Sequence, residues 1–143
     1  MDFIYFFERD MKKLTEEINL YQDESELWKT KGSIANSAGN LTLHLIGNLN
    51  QLIGNYLGNT GYVREREKEF SQKNIPREKL ISEINAISDV IKNTLPNLSD
   101  EDWKKDFQQP INNVVFSTEN VMVLLLTHLN YHLGQINYHR RLI

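Results

Sequence analysis

Four stretches of this chain repeat their apolar residues every three or four positions, and no stretch alternates convincingly with period two. Only a helix puts positions three and four apart on one face, so the pattern predicts an all-α fold. The first stretch runs from about Asp2 to Leu27, with Phe7, Met11, Leu14, Ile18 and Tyr21 as its stripe. The second runs from about Ser33 to Leu57, with Ser33 as N-cap and Ile34, Leu41, Leu45, Leu52 and Tyr56 as its stripe. The third starts at Pro76, which suits a first helical turn, and Pro96 stops it. Its stripe is Leu80, Ile84, Ile87, Ile91 and Leu95. The fourth runs from about Ser117 to Arg141. Strands are at most short, around Ile111 to Phe116.

The connections narrow the topology. Gly58 to Ile75 is long for a link between neighbouring antiparallel helices, which usually takes about two to eight residues. It suits a crossover that returns the chain to its starting end before the third helix. The mixed run Arg64-Glu65-Arg66-Glu67-Lys68-Glu69 within it reads as a solvated turn with salt-bridging side chains. The segment from Asn97 to Phe116 contains Trp103 and Pro110 and predicts a short helix near Asp100 to Phe107. No repeat or linker divides the chain, so residues 1–143 read as one domain.

Composition excludes several function classes. A net charge of −3 argues against a nucleic-acid partner, which calls for a basic face. With no cysteine there is no disulfide, thiolate site or cysteine nucleophile. The N-terminal residues lack the basic region and apolar run of a signal peptide. The longest apolar stretch, Val121 to Leu126, is far too short to cross a bilayer. A cytoplasmic protein with no membrane partner is the expectation.

The chain has only four histidines, and three fall in the last helix. His128 and His132 are about 40° apart around the axis and about 6 Å apart along it, so both can reach one metal ion. No glutamate follows the first of them, as a zinc-protease helix would require. Val121, Leu124, Leu125 and Ile136 share their side of the helical wheel, while Asn130 and Asn137 lie opposite and are expected in solvent. The pair therefore points inward, and buried imidazoles need partners. His139 shares that face but lies about 10 Å beyond His132, too far for a common ligand set. It reads as a surface or neighbouring histidine near a helix C-terminus. His44, midway along the second helix, is the third ligand candidate. Ser37, Asn40, Asn48, Gln51 and Asn55 lie within about 40° of it, a polar stripe that suggests a wet cleft.

These residues carry a resemblance. Gly32-Ser33-Ile34-Ala35-Asn36 leading into Leu43-His44-Leu45-Ile46-Gly47-Asn48-Leu49, and Thr127-His128-Leu129-Asn130-Tyr131-His132-Leu133-Gly134-Gln135-Ile136, resemble the DinB-like (damage-inducible, YfiT-like) superfamily of metal-binding four-helix bundles. Trp28 resembles the tryptophan that precedes the family's second helix. The resemblance covers nearly the whole chain. It implies an up-down-down-up bundle with a long crossover between its second and third helices. It also implies one divalent metal, zinc, nickel or similar, on His44, His128 and His132, with Asn40, Asn48, Gln51 and Gln135 around them. Some relatives resemble transferases that join a low-molecular-weight thiol to a small electrophile, so a metal-dependent thiol S-transferase is the leading expectation. The alternatives are a non-catalytic protein whose metal pins two helices and, less favoured, a metal-dependent hydrolase. Hydrolysis needs a base, and the interior faces of the second and fourth helices offer no carboxylate. The resemblance, with the surplus of Phe3, Tyr5, Phe6 and Phe7, also implies a homodimer.

Overall fold

Side-chain caps at Asp2, Ser37, Ser99 and Ser117 mark where four of the helices of this chain begin. The computed structural model describes residues 1–143 and contains six α-helices and no strand. They are α1 (Phe3–Asn19), α2 (Ala38–Leu49), α3 (Arg66–Ser71), α4 (Arg77–Thr94), α5 (Asp100–Lys104) and α6 (Thr118–Leu142).

The first helix stops eight residues short of the expected Leu27. After Asn19 the chain turns, and the Asp23 carboxylate accepts from the Ser25 N–H to start a separate 3₁₀ turn, Glu24–Trp28. That turn places Leu27 and Trp28 in the core. The cap of α2 is Ser37 rather than Ser33: its buried hydroxyl accepts from the Asn40 N–H at 3.2 Å, whereas Ser33 is exposed. A Cβ on Gly39 would stand 2.6 Å from the Trp28 ring, so a glycine lets the tryptophan lie on the first turn of α2. α2 continues without a break into a π-helical turn, Asn50–Asn55. Pro76 is the N-cap of α4 rather than its first residue, and Pro96 sits in a 3₁₀ turn that closes it. α6 begins where the sequence places it, and the Ser117 side chain caps it by accepting from the Asn120 N–H. The short helix near Asp100 is real but ends at Lys104. Two isolated bridges, Ile111–Val114 and Asp106–Ser117, take the place of the short strand.

The long helices pack pairwise, α1 and α2 each against both α4 and α6. Specific contacts give their directions. Asp10 accepts from Asn130, and Glu17 accepts from Asn137 and Arg140, so α1 and α6 run the same way. Glu8 pairs with Lys92, and Arg77 reaches the carbonyls of Asn19 and Tyr21, so α4 runs against α1. Gly54 lies against Val90 and Gly58 against Thr94, so α2 and α4 run together. Between them the apolar stripes close one core that includes Leu14, Ile18, Ile53, Leu80, Ile91, Leu129 and Ile136, each at most 1% exposed. Each such side chain contributes about 1.5–3 kcal/mol of burial.

Two expectations about α6 and α1 change. Asn130 is exposed as expected and Asn137 is partly buried, yet neither is free: they hydrogen-bond the buried carboxylates of Asp10 and Glu17 on α1. The centre of the α6 core face is set by Met122, Leu129 and Leu133, which puts the histidine pair on its flank, toward α2. The N-terminal aromatic surplus is smaller than the sequence suggests. Phe3 and Phe7 are buried, and Tyr5 remains exposed. No helix is long and apolar enough to cross a membrane.

Candidate metal centre

α2 and α6 are packed antiparallel across the core, so the middle of one meets the middle of the other. His44 on α2 thereby meets His128 and His132 on α6. His128 Nε2 lies 3.1 Å from His44 Nε2 and 3.1 Å from His132 Nε2. One ligand atom from each of the three falls within 4.8 Å of the other two. His44 is buried, and the α6 pair is half-buried at the rim of the core.

The outer ring nitrogens show which protons these imidazoles carry. His44 Nδ1 donates to Glu69 Oε1 at 3.0 Å. His132 Nδ1 donates to Gln135 Oε1 at 2.7 Å. Both Nε2 atoms therefore present lone pairs toward His128 Nε2. A single proton on His128 can satisfy only one of them. Three inward nitrogens sharing at most one proton form an electron-rich focus that a cation would complete. For bonds of about 2.1 Å, neighbouring ligand nitrogens stand about 3.0 Å apart in an octahedral shell and about 3.4 Å apart in a tetrahedral one. The two edges at His128, each 3.1 Å, lie between these values, and the third, His44 to His132, is within 4.8 Å, so the donor set fits a divalent ion.

Electrostatics prepares the same state. Burial pushes the His128 imidazole down to about 4, with His132 and His44 adding to the shift. Burial also lowers His132, against the opposing hydrogen bond to Gln135. Both rings are neutral at pH 7, as metal ligands must be.

A carboxylate that the sequence reading left in solvent supports the site. Glu69, in α3, is 6% exposed and sits behind His44. Arg64 holds it from the other side, Nε to Oε2 at 2.8 Å and Nη2 to Oε1 at 2.9 Å. Burial alone would raise the Glu69 carboxyl, but the hydrogen bonds and charges of Arg64 and His44 outweigh it and hold the group below its usual range. Gly47, one turn beyond His44, has no Cβ where the carboxylate lies; a side chain there would collide with it. The charged run from Arg64 to Glu69 is thus only partly a solvated turn. Arg64 and Glu69 are internal, while Glu65 and Lys68 pair at the surface. Nothing in a mixed-sign run distinguishes its one buried carboxylate. Phe70, next to Glu69, packs its ring on His44 with centroids 5.0 Å apart.

The flanking polar residues divide by role. Asn40 donates to the carbonyls of Glu69 and Gln72 and so fastens α3 to α2. Gln135 orients His132. Asn48 Oδ1 and Gln51 Oε1 are buried without a hydrogen-bond partner. His139 is neither at the surface nor beside the other three. It is 2% exposed, with Nδ1 at 2.6 Å from the Tyr21 hydroxyl and Nε2 at 2.8 Å from the Lys29 carbonyl. It ties α6 to the chain after α1.

Two clefts flank the histidines. The larger, about 880 Å³, is walled by His44 and His128 and extends along α2 and α6 beneath the α5–α6 loop. The smaller, about 410 Å³, is walled by His132, Gln135, Ile34, Leu41 and Leu142. Neither is lined by a carboxylate.

Residues 4–143 match the family described as "Protein of unknown function (DUF1572)". No curated protein matches the chain.

Proposed function

Taking as premise that the chain belongs to the DUF1572 family, whose function is unknown, we propose that it is a DinB-like four-helix bundle of up-down-down-up topology. In this reading its three histidines hold one divalent metal, zinc, nickel or similar, for thiol S-transfer. The observation that carries the reading is the convergence of the His44, His128 and His132 Nε2 atoms. The helix directions drawn from the Asp10, Glu17, Glu8 and Gly54 contacts support the topology.

A metal on three neutral imidazoles keeps its full charge, and so would lower the pKa of a thiol bound in an open position. The chain's residues do the rest. Glu69 fixes the His44 tautomer and orientation, the usual task of an outer carboxylate. Gln135 does the same for His132. The two clefts suit a reaction with two substrates, because one is walled by His44 and His128 and the other by His132. Balanced as a conjugation, the thiol sulfur forms a bond to the electrophilic carbon, the leaving group departs with the bonding pair, and the thiol proton passes to solvent.

Hydrolysis is less well supported. Glu69 is the one nearby carboxylate, and it is engaged by His44 and Arg64 rather than free to activate a water. A non-catalytic metal pin is favoured by one observation, that the three nitrogens join two helices. It requires chelation to lower the melting temperature sharply with both clefts inert to small molecules. A homodimer belongs to the same proposal, supported by the exposed Tyr131, Tyr138 and Leu142 on α6. A monomer by light scattering at micromolar concentration would remove it.

The test is turnover of a small-molecule thiol with a model electrophile by metal-loaded protein. The reading expects turnover that His132→Ala abolishes. Turnover unchanged in that variant, or absent in wild type with every thiol offered, would overturn the transferase reading.

A further inference from the structure

The larger cleft has a polarity that runs along its length. His44, Asn48 and Leu52 line it at successive turns of the α2 segment, about 12 Å from first to last. On the antiparallel α6 the order is matched: His128, then Leu124, then Val121. One end is therefore imidazole and polar, and the other is mainly apolar, roofed by Ile111, Val114 and Phe116 of the α5–α6 loop, with the uncharged Gln109 and Asn112 beside them. The ionisable groups at its walls other than histidine and Tyr131 are Arg64 and Arg66. In a chain of net charge −3, this is a locally cationic cleft. Arg64 gives Nε and Nη2 to Glu69, whose charge offsets its own, so Arg66 supplies the net positive charge while Arg64 Nη1 is left as a donor. Between the ends, Asn48 Oδ1 is buried with no partner in the protein, so its amide is poised for a polar group of a ligand.

From this juxtaposition we infer that the cleft takes an elongated amphipathic anion, with a carboxylate or similar head beside Arg64 and Arg66 and a tail of about eight carbons reaching Leu52 and Val121. The volume of about 880 Å³ is that of a site for a small organic ligand. Opposite charges in a partly desolvated cleft give the strong, short hydrogen bonds that select an anionic head. The apolar far end excludes a second charge, because burying one unpaired is costly. The inference deepens the small-molecule reading above and rests on it only for the chemistry at the head.

Binding of octanoate, with octylamine as the charge-reversed control, tests it by calorimetry and by amide chemical shifts on metal-free and metal-loaded protein. Octanoate is expected to bind both forms and octylamine neither. Arg66→Gln should weaken octanoate at least about fivefold. Val114→Asp, at a half-exposed position, should weaken it more by placing a like charge at the tail, with folding checked by circular dichroism. Thr127→Trp, also exposed, should obstruct the cleft beside His128, where the head is placed. Equal binding of both probes, binding of neither, or octanoate affinity unmoved by Val114→Asp and Thr127→Trp would overturn the inference. Failure of metal uptake with octanoate binding intact would instead count against the metal reading and leave the cleft assignment standing.

Discussion

At the scale of single residues, the site depends on proton placement. Glu69 decides which nitrogen of His44 is free, so Glu69→Gln should weaken metal affinity by about ten- to a hundredfold while the helical circular dichroism stays as in wild type. Competition with a chromogenic chelator measures this, and unchanged affinity would remove Glu69 from the site. Acid stability follows from His128. An unfolded imidazole takes its proton near about 6.5, whereas folded His128 takes it only near about 4. Below pH about 6.5 the unfolded state therefore binds more protons, and the metal-free protein loses stability until about pH 4. Glu69 adds a loss at the acid end, because its depressed carboxyl stabilises the fold only while ionised. Urea midpoints between about pH 7 and pH 5 should fall, and less so in His128→Asn. A flat profile would contradict the buried neutral imidazole. His128 and His132 were legible in sequence because they stand four apart in one helical stretch, and His44 joined them through its polar stripe and the family resemblance. Glu69 was not, since one buried carboxylate in a run of six charged residues has no local mark.

At the scale of elements, caps and close approaches carry the account. Ser37→Ala should cost about 1–2 kcal/mol, and Ser33→Ala close to nothing, by denaturant midpoint. The opposite order would restore the earlier start of α2. An ordinary glycine inside a helix gains about 0.5–1 kcal/mol when changed to alanine. Gly47→Ala should instead destabilise, by about 1–3 kcal/mol of overpacking, because the new methyl meets Glu69. It should lower metal affinity with it; a stabilised variant would mean that α3 does not sit on α2 as described. Stripe spacing read the existence of the four long helices correctly. It misjudged their ends, because competing caps such as Asp23 and Ser37 are themselves acceptable inside a helical pattern.

At the scale of the whole molecule, the long link after Gly58 does more than carry the chain between helices. It brings Arg64 and, on α3, Glu69 to the back of His44, so the same segment that sets the helix order also completes the candidate site. The all-α class was readable from period alone. The partners of α1 and α6 were not: a wheel cannot tell a solvent face from one that meets a neighbour through polar pairs such as Glu17–Asn137. The central claim is that His44, His128 and His132 together hold one divalent ion. Titration of metal-stripped protein with zinc against a competing chelator tests it most directly. The account predicts one ion per chain, with each of His44→Ala, His128→Ala and His132→Ala losing more than the roughly hundredfold that an outer partner can contribute, and with His139→Gln retaining the ion while folded. Undiminished stoichiometric binding in folded His128→Ala, or no binding by folded wild type, would contradict it.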